Sequence, residues 1–409
     1  MKASDTETIR GLARRYIDGI EPAERARRIG NWRAVNSLRP APPPIYIRAF
    51  AWREHPASEC VCEDPFARSL ENGFRYNLAR AEFGDDSVDN PWIQTQCVYK
   101  SAGWGASAKH NYPGAVGGLE AYKQEHPIRD YAADFAKLSV PRHEIDEAAT
   151  DEREDAANIL LGDLMPVEMF RGAWARAWSA DLAMWLGNLR GMENLMSDVY
   201  ERPGELKRLA AFLRDGICGL LDETEKSGQM TLLEHSNQSM PYADTLPDPA
   251  PNVRGVAMSS LWHFQAAQEF ALIGPGQHRE FLLEYQMEIF KRFGLVAYGC
   301  CEDLTNKIGI LREIPNLRRI AVAPAANVAK CAEQIGGDYT ISYRPNPAWI
   351  AAGYDRAKLA KRIREDFAAL RANGCVFDVT LKDVETVESD FSRVSDFVSI
   401  IRQTPGYSV

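Results

Sequence analysis

The pattern of apolar and polar positions is most regular in the last third of the chain. Short apolar runs alternate there with segments in which apolar residues recur every three or four positions, patterns typical of strands and helices. The runs predict strands at 295–298, 317–322, 338–342 and 376–381. The periodic segments predict helices at 304–313, 327–335, 355–372 and 388–401. Such a repeat implies strands that pair in parallel.

The first two thirds of the chain are less regular. Residues 45–50 alternate and are rich in β-forming side chains, so they predict a first strand. Further strands are predicted at 159–161, 229–233 and 252–258, and further helices at 9–20, 65–83, 146–155, 206–224, 261–270 and 277–292. The eight predicted strands favour a closed (β/α)₈ TIM barrel over an open doubly wound sheet. No glycine fingerprint follows a predicted strand, which also argues against a nucleotide-binding sheet.

These elements predict two unequal parts. Residues 1–44 form an N-terminal helical extension, and residues 45–409 form the barrel. An insertion at about 90–125 is rich in Gly, Trp, Tyr, Gln and Ser, and it predicts short antiparallel strands or an ordered lid.

Composition and charge exclude several classes of protein. The 409 residues carry a net charge of −9 without a block of Lys and Arg, which argues against nucleic-acid binding. No apolar run is long enough to span a membrane, and the first residues lack the apolar core of a secretory signal. The eight cysteines do not form the framework of a small disulfide-rich domain. We therefore expect a cytoplasmic protein with reduced thiols.

The candidate chemistry is concentrated where the strand at 295–298 ends, in the sequence Tyr-Gly-Cys-Cys-Glu-Asp. Active sites of barrels lie at the C-terminal ends of strands. Thiolates are nucleophiles and metal ligands, and carboxylates bind metals or move protons. Cys301 and Glu302 are therefore candidate catalytic residues, and Cys300 and Cys301 are candidate zinc ligands. The alternative is that both cysteines are buried packing residues.

Four other positions add to this hypothesis. Lys382 and Asp383 directly follow the last predicted strand, where they form either a catalytic charge pair or an ordinary surface salt bridge. Glu269 would share a helical face with Gln265 and Gln268, and it is our candidate for a third metal ligand unless that face is simply solvated. His263 is a candidate for binding substrate or zinc, and a structural hydrogen bond is the alternative role.

His235 follows the strand predicted at 229–233, at the start of a polar loop suited to binding substrate. We also assign Trp262, Tyr298 and Arg48 to substrate binding.

Residues 261–387 resemble the uroporphyrinogen decarboxylase superfamily, and in particular its members related to corrinoid-dependent methyltransferases. Three blocks carry the resemblance, at 261–285, 293–319 and 338–387. It implies a TIM barrel and one of two activities. The decarboxylase members act on tetrapyrroles without a cofactor, and the methyltransferase members use zinc and exchange a methyl group with a corrinoid.

The sequence departs from both patterns of the superfamily. The arginine-rich entry motif of the decarboxylases is reduced to Arg48 and Arg53. The His-x-Cys zinc pair of the methyltransferases is replaced by the stretch that ends in Cys300 and Cys301. A zinc ion would therefore need a different set of ligands.

We expect a zinc-dependent methyltransferase of the O-demethylase type. It would demethylate a small methylated or methoxylated substrate and pass the methyl group to a corrinoid protein. The second hypothesis is a cofactor-free decarboxylase of the uroporphyrinogen decarboxylase type, and the third is a barrel that only binds a ligand. The sequence leaves the substrate and the oligomeric state open, with a homodimer as one option.

Overall fold

A computed structural model describes residues 1–100, 103–111, 123–172 and 180–408. Two helices open the chain, α1 (Ala3–Asp18) and α2 (Pro22–Asn36). The further helices of the described part are α3 (Pro65–Ala81), α4 (Tyr131–Asp134), α5 (Glu147–Leu161), α6 (Leu182–Arg190), α7 (Met192–Glu201), α8 (Pro203–Lys226), α9 (Pro275–His278), α10 (Glu284–Phe290), α11 (Ile308–Leu311), α12 (Val328–Ile335), α13 (Arg356–Ala372) and α14 (Ser392–Gln403). A π-helical segment, Arg279–Leu283, connects α9 to α10. In the described part of the chain, no helix is both long enough and apolar enough to cross a lipid bilayer.

Six parallel strands form the main sheet. The strands of the described part are β1 (Ile45–Ile47), β2 (Ile93–Gln96), β3 (Lys109–Asn111), β4 (Lys123–Glu125), β5 (Val167–Phe170), β6 (Trp262–Gln265), β7 (Leu295–Tyr298), β8 (Leu317–Val322), β9 (Thr340–Tyr343) and β10 (Phe377–Leu381). The curled main sheet has the order β1-β10-β9-β8-β7-β6, while β2 pairs in parallel with β5 and β3 pairs antiparallel with β4. The predicted α/β class with parallel strands is confirmed.

The two faces of the main sheet pack against different partners. Strands β6, β7, β9 and β10 are buried along their whole length, as expected for parallel strands covered on both sides. Val296 and Tyr298 join the large core beneath the helices. Trp262, Phe264 and Ala297 belong to a separate cluster on the inner side of the curl. Alternate residues therefore point to the helix layer and to the inner side.

A complete eight-stranded ring is not present in the described residues. The sheet has an open edge at β1, and this edge is capped by side chains. The carboxylate of Asp86 accepts a hydrogen bond of 2.9 Å from the backbone N–H of Ile45, and that of Asp85 accepts one of 2.8 Å from Ile47. Carboxylate oxygens thus occupy the place of the carbonyl groups of a neighbouring strand.

Several predictions from the middle of the chain are wrong. Residues 159–161 form the last turn of α5, because Leu160 and Leu161 complete its buried stripe, and the strand follows at β5. Residues 229–233 and 252–258 contribute only an isolated bridge between Thr231 and Arg254. The helix predicted at 261–270 is instead strand β6 followed by a 3₁₀ turn, so Gln265, Gln268 and Glu269 do not share a helical face.

The predicted insertion at 90–125 lies partly outside the described residues. Its described part contains β3 and β4, which are antiparallel as predicted, and β2, which pairs in parallel with β5. The division at residues 44 and 45 stays a prediction.

A buried polar network ties α2 to the sheet. Arg319 of β8 donates hydrogen bonds of 2.7 Å to Asp378 of β10 and to Asn36, the last residue of α2. Arg319 and Asp378 are almost fully buried, with side-chain exposures of 2% and 0%. Buried charges of this kind need their partners, because an unpaired one loses its hydration without compensation.

Replacing Arg319 with Met should therefore destabilise the protein by about 3–5 kcal/mol, since Asp378 would be left as an uncompensated buried charge. Urea unfolding followed by circular dichroism measures the change. The control is Arg356→Met, which breaks an exposed pair with Asp396 and should cost less than about 1 kcal/mol. Equal losses in the two variants would contradict the structural role given to the buried pair.

Candidate functional site

Four strands of the main sheet end next to one another with polar side chains. Arg48 follows β1, Lys382 follows β10, Arg344 follows β9, and the cysteine pair follows β7 after a single glycine. Because the strands are parallel, these residues lie at the same, C-terminal edge of the sheet. The edge is the one at which the sequence predicted a site.

The turn after β7 is fixed by Gly299 and Glu302. Gly299 has a φ of 96°, and a Cβ atom there would lie 2.6 Å from Leu304 Cδ1, so the position requires glycine. The buried carboxylate of Glu302 accepts hydrogen bonds from the backbone N–H groups of Cys300 (2.8 Å) and Ala267 (2.7 Å). Glu302 therefore connects the end of β7 to the end of β6 and presents the two thiols side by side.

The thiols, one ammonium and one carboxylate form a compact cluster. The sulfur atoms of Cys300 and Cys301 are 3.6 Å apart. Lys382 Nζ lies 3.1 Å from Cys300 Sγ, 3.0 Å from Cys301 Sγ and 2.9 Å from Asp383 Oδ2. Cys300 and Lys382 are buried, whereas Cys301 and Asp383 are exposed. The cluster can thus be reached from solvent through Cys301.

The environment favours one thiolate in the pair. A hydrogen bond from Cys301, together with the positive charges of Arg344 and Lys382, lowers the pKa of Cys300, although burial acts in the opposite direction. The pKa of Cys301 is raised, because its proton is held by the Cys300 sulfur and because it is partly desolvated. Burial lowers the pKa of Lys382, but the hydrogen bond to Cys301 and the charge of Cys300 outweigh that effect and raise it. The surroundings therefore favour a thiolate at Cys300, a thiol at Cys301 and an ammonium at Lys382.

Two residues that the sequence analysis did not assign to the site also contact Cys300. Gln238 Nε2 lies 3.5 Å from Cys300 Sγ, and the Gln238 side-chain oxygen accepts a 2.7 Å hydrogen bond from Arg48 Nη1. Arg48 thereby orients the amide so that its N–H group faces the sulfur. Arg344 donates a 2.6 Å hydrogen bond to the carbonyl oxygen of Cys300. Arg344 could have been found as the first residue after β9, and Gln238 lies in the polar loop after His235 that the sequence indicated as suited to substrate binding.

His263 and Tyr298 point toward the helices. The His263 ring stacks on Phe293 with centroids 4.3 Å apart, and burial lowers its pKa to about 3. The Tyr298 hydroxyl lies 2.8 Å from His278 Nε2 and donates to Gln286 Oε1 at 3.0 Å. The structure therefore does not bring these two predicted substrate-binding residues together with the thiols.

His235 and Trp262 lie at the other end of β6. The backbone N–H of Trp262, the first residue of the strand, donates to His235 Nδ1 at 3.2 Å. The Trp262 indole donates to the carbonyl oxygen of Pro241 at 2.7 Å. Burial lowers the pKa of His235 to about 4. The N-terminal end of β6 is separated from the thiol cluster by the length of the strand.

Glu269, the expected third metal ligand, lies in the 3₁₀ turn after β6. Its side chain packs against the backbone of Gly187 in α6, where an added Cβ would lie 2.5 Å from Glu269 Cγ. Burial raises its pKa, and the charges of Glu302 and Cys300 add to the effect. Glu269 is thus close enough to sense the thiolate electrostatically, without a direct hydrogen bond to it.

The fit of a zinc ion to these residues is partial. Two sulfurs bound to one zinc at about 2.3 Å and tetrahedral angles would lie about 3.8 Å apart, close to the observed spacing. Within the described residues, however, no group of three or more His, Cys, Asp and Glu side chains is arranged to hold a metal ion. The ammonium of Lys382 instead contacts both sulfurs. The cluster as it stands therefore has its own cation, and a metal would have to displace it.

A large cleft of about 1020 Å³ lies elsewhere in the protein. It is lined by residues of α1, α3, β2 and α5, including Tyr16, Phe74 and Trp92. None of the predicted site residues lines it. The cleft and the thiol cluster are therefore separate features.

The thiolate can be tested by alkylation with iodoacetamide between pH 6 and pH 8. An ordinary thiol with a pKa of about 8.5 gains roughly 75-fold in thiolate over this range. In Cys301→Ser, which removes the exposed thiol and keeps a hydrogen-bond donor beside Cys300, the alkylation rate of Cys300 should change by less than about 3-fold, because its thiolate is already present at pH 6. In the same background, Lys382→Met should make the rate depend steeply on pH, whereas the exposed Lys330→Met should not. A steep profile for Cys300 in Cys301→Ser, read by mass spectrometry of the peptide that contains it, would contradict the assignment.

The fold has a counterpart among solved structures, whereas the sequence has none among family models or curated proteins. The chain aligns with a methyltransferase from Methanosarcina mazei with a TM-score of 0.53, covering 91% of this chain and 97% of that chain. Their sequence identity is 11%, so the likeness concerns the fold alone. No protein-family model and no curated protein matches the sequence significantly.

Proposed function

We propose that this protein is a methyltransferase that removes a methyl group from a small methylated or methoxylated compound and passes it to a corrinoid protein. The observation that carries the proposal is the Cys300–Cys301–Lys382 cluster at the C-terminal edge of the sheet. The fold shared with a methyltransferase is consistent with this activity.

The chemistry of demethylation calls for a proton donor and a polar anchor. When the bond between the methyl carbon and its oxygen breaks, the bonding electrons stay on the oxygen, which needs a proton or a positive charge. Lys382 holds a proton at Nζ, and Cys301 holds one at Sγ on the exposed side of the cluster. A corrinoid on a partner protein would supply the nucleophile that takes the methyl group. The exposure of Cys301 suits a reaction in which donor and acceptor meet at the surface.

The proposal includes a zinc ion on the condition that the ammonium of Lys382 moves away from the two sulfurs. Cys300 and Cys301 are the ligands that a zinc ion would take, and the ion would act as a Lewis acid on the departing atom. The ammonium of Lys382 would first have to give up its contacts with the two sulfurs, since two cations cannot share them.

The proposed transfer can be assayed with reduced cobalamin as the acceptor and a panel of methoxylated compounds as donors. Cys300→Ser should lower the rate of methylcobalamin formation by about 100-fold or more, because the hydroxyl does not ionise at neutral pH. Cys60→Ser, which changes a thiol outside the cluster, serves as the matched control. If the wild-type protein releases carbon dioxide from carboxylated donors and forms no methylcobalamin, the decarboxylase alternative replaces the proposal.

A second prediction follows from the competition between zinc and the Lys382 ammonium for the two sulfurs. Lys382→Met should bind zinc at least about 10-fold more tightly than the wild type, because it removes a positive charge about 3 Å from both sulfurs. Isothermal titration with zinc measures the affinity, and metal analysis after dialysis measures the stoichiometry. Lys330→Met is the control. Weaker zinc binding by Lys382→Met would mean that the lysine supports the metal and does not compete with it.

A further inference from the structure

Three basic side chains project from neighbouring strands toward the same side of the sheet. In the sheet register, Ile47 is opposite Leu381 and Tyr343 is opposite Val379. The side chains of these four residues join the core beneath the helices. By alternation, Arg48, Lys382 and Arg344 point to the inner side, at the C-terminal ends of β1, β10 and β9.

Only part of the positive charge of this group is taken up in direct ion pairs. Lys382 is paired with Asp383 and with the thiolate. For Arg48 and Arg344, by contrast, no ion pair is found among the described residues; Arg48 donates a hydrogen bond to a side-chain amide, and Arg344 donates one to a backbone carbonyl. Glu302, the other buried acid of the site, is held by two backbone N–H groups. An anion would therefore find two cationic partners at this edge.

Burial makes an unmet hydrogen bond of Arg344 energetically significant. Arg344 is 3% exposed, and its buried Nε atom has no hydrogen-bond partner among the described residues. Burial lowers the pKa of Arg344 and outweighs the charge of Cys300, which raises it; the charge of Arg48 adds to the lowering, and those of Asp378 and Glu302 oppose it. A buried donor without a partner costs free energy that a bound acceptor would restore.

The spacing of the two arginines suits one small anion. Strands β1 and β9 flank β10 on either side, so Arg48 and Arg344 start roughly two strand spacings apart, about 10 Å. Long side chains from these positions can converge on a group above Lys382. Gln238, which connects Arg48 to the thiolate, has a φ of 58°, a conformation that L-residues adopt at a cost and that is often retained at ligand sites.

We infer that Arg48 and Arg344 bind a carboxylate of the substrate, so that the methyl donor is a small methylated carboxylic acid. This inference rests on the proposed function and names the substrate class of the same site. The planar, forked guanidinium group matches a carboxylate in two parallel hydrogen bonds. The carboxylate is an anchor and does not react, while the methyl-bearing atom lies next to Cys301 and Lys382.

The test compares acids with neutral analogues of the same shape. Methoxyacetate and 4-methoxybenzoate are titrated against 2-methoxyethanol and 4-methoxybenzyl alcohol by isothermal calorimetry, without an acceptor and without turnover. Each acid should bind about 10- to 100-fold more tightly than its alcohol. Arg48→Gln and Arg344→Gln should abolish that preference, whereas Arg53→Gln, which changes an exposed arginine of the same segment, should retain it.

Several results would overturn the inference. They are equal binding of acids and alcohols, no measurable binding of either acid at millimolar concentrations, an unchanged preference in Arg48→Gln, or tighter binding of inorganic phosphate than of both acids. Because Arg344 is buried, Arg344→Lys is included to keep the charge, and it should retain part of the preference. Demethylation of neutral donors that is independent of Arg48 would end the inference and leave the proposed function intact. If the protein prefers acids but transfers no methyl group, the proposed function is wrong, while the carboxylate site at Arg48 and Arg344 is supported.

Discussion

The contact between the ammonium of Lys382 and the two sulfurs is the constraint on which the site depends. Cys300 follows β7 and Lys382 follows β10, with β8 and β9 between them. On a flat sheet these strands would be about 14 Å apart, yet Lys382 Nζ lies 3.1 Å from Cys300 Sγ. Only a curled sheet allows this contact. The curl thus brings a cation to the buried thiolate, which would otherwise be strongly disfavoured.

The geometry around the thiols is fixed by backbone conformations that are rarely populated. Gly299 has a positive φ, and so do Gln238 and Asp383, which are not glycine. All three lie beside Cys300, Cys301 or Lys382. Such conformations persist only where the surrounding contacts enforce them. Here the contacts are the two backbone hydrogen bonds of Glu302, the amide held by Arg48, and the ion pair of Lys382 with Asp383.

The sequence was sufficient to predict the alternation of strands and helices in the last third of the chain. It was also sufficient to predict that the two thiols lie at the C-terminal end of a strand. The strands and helices there alternate regularly, although the helix predicted at 304–313 is reduced to α11 (Ile308–Leu311). Lys382 and Asp383 directly follow a predicted strand, and the two cysteines follow another after one glycine. The face of each strand residue was not predictable. Parallel strands are apolar on both sides, so no pattern told us that Tyr298 and His263 point to the helices while Lys382 points to the thiols.

Other contacts depend on the fold and leave no local signal. Gln238 reaches Cys300 from a loop 62 residues earlier in the chain. The segment 261–270 was misassigned because a short apolar run is compatible with both a strand and a helix. Its first half became β6 because β7 provides a partner along its whole length.

The carboxylates of Asp85 and Asp86 have a consequence beyond the fold of one molecule. The N–H groups of an exposed edge strand are a template on which a second polypeptide can add its own strand, the first step of many aggregation processes. At β1 those groups of Ile45 and Ile47 already have intramolecular acceptors. An incoming chain would have to displace two negatively charged groups before it could pair. The open edge of the main sheet at β1 is thereby protected from pairing with another molecule, although no further strand of this chain covers it.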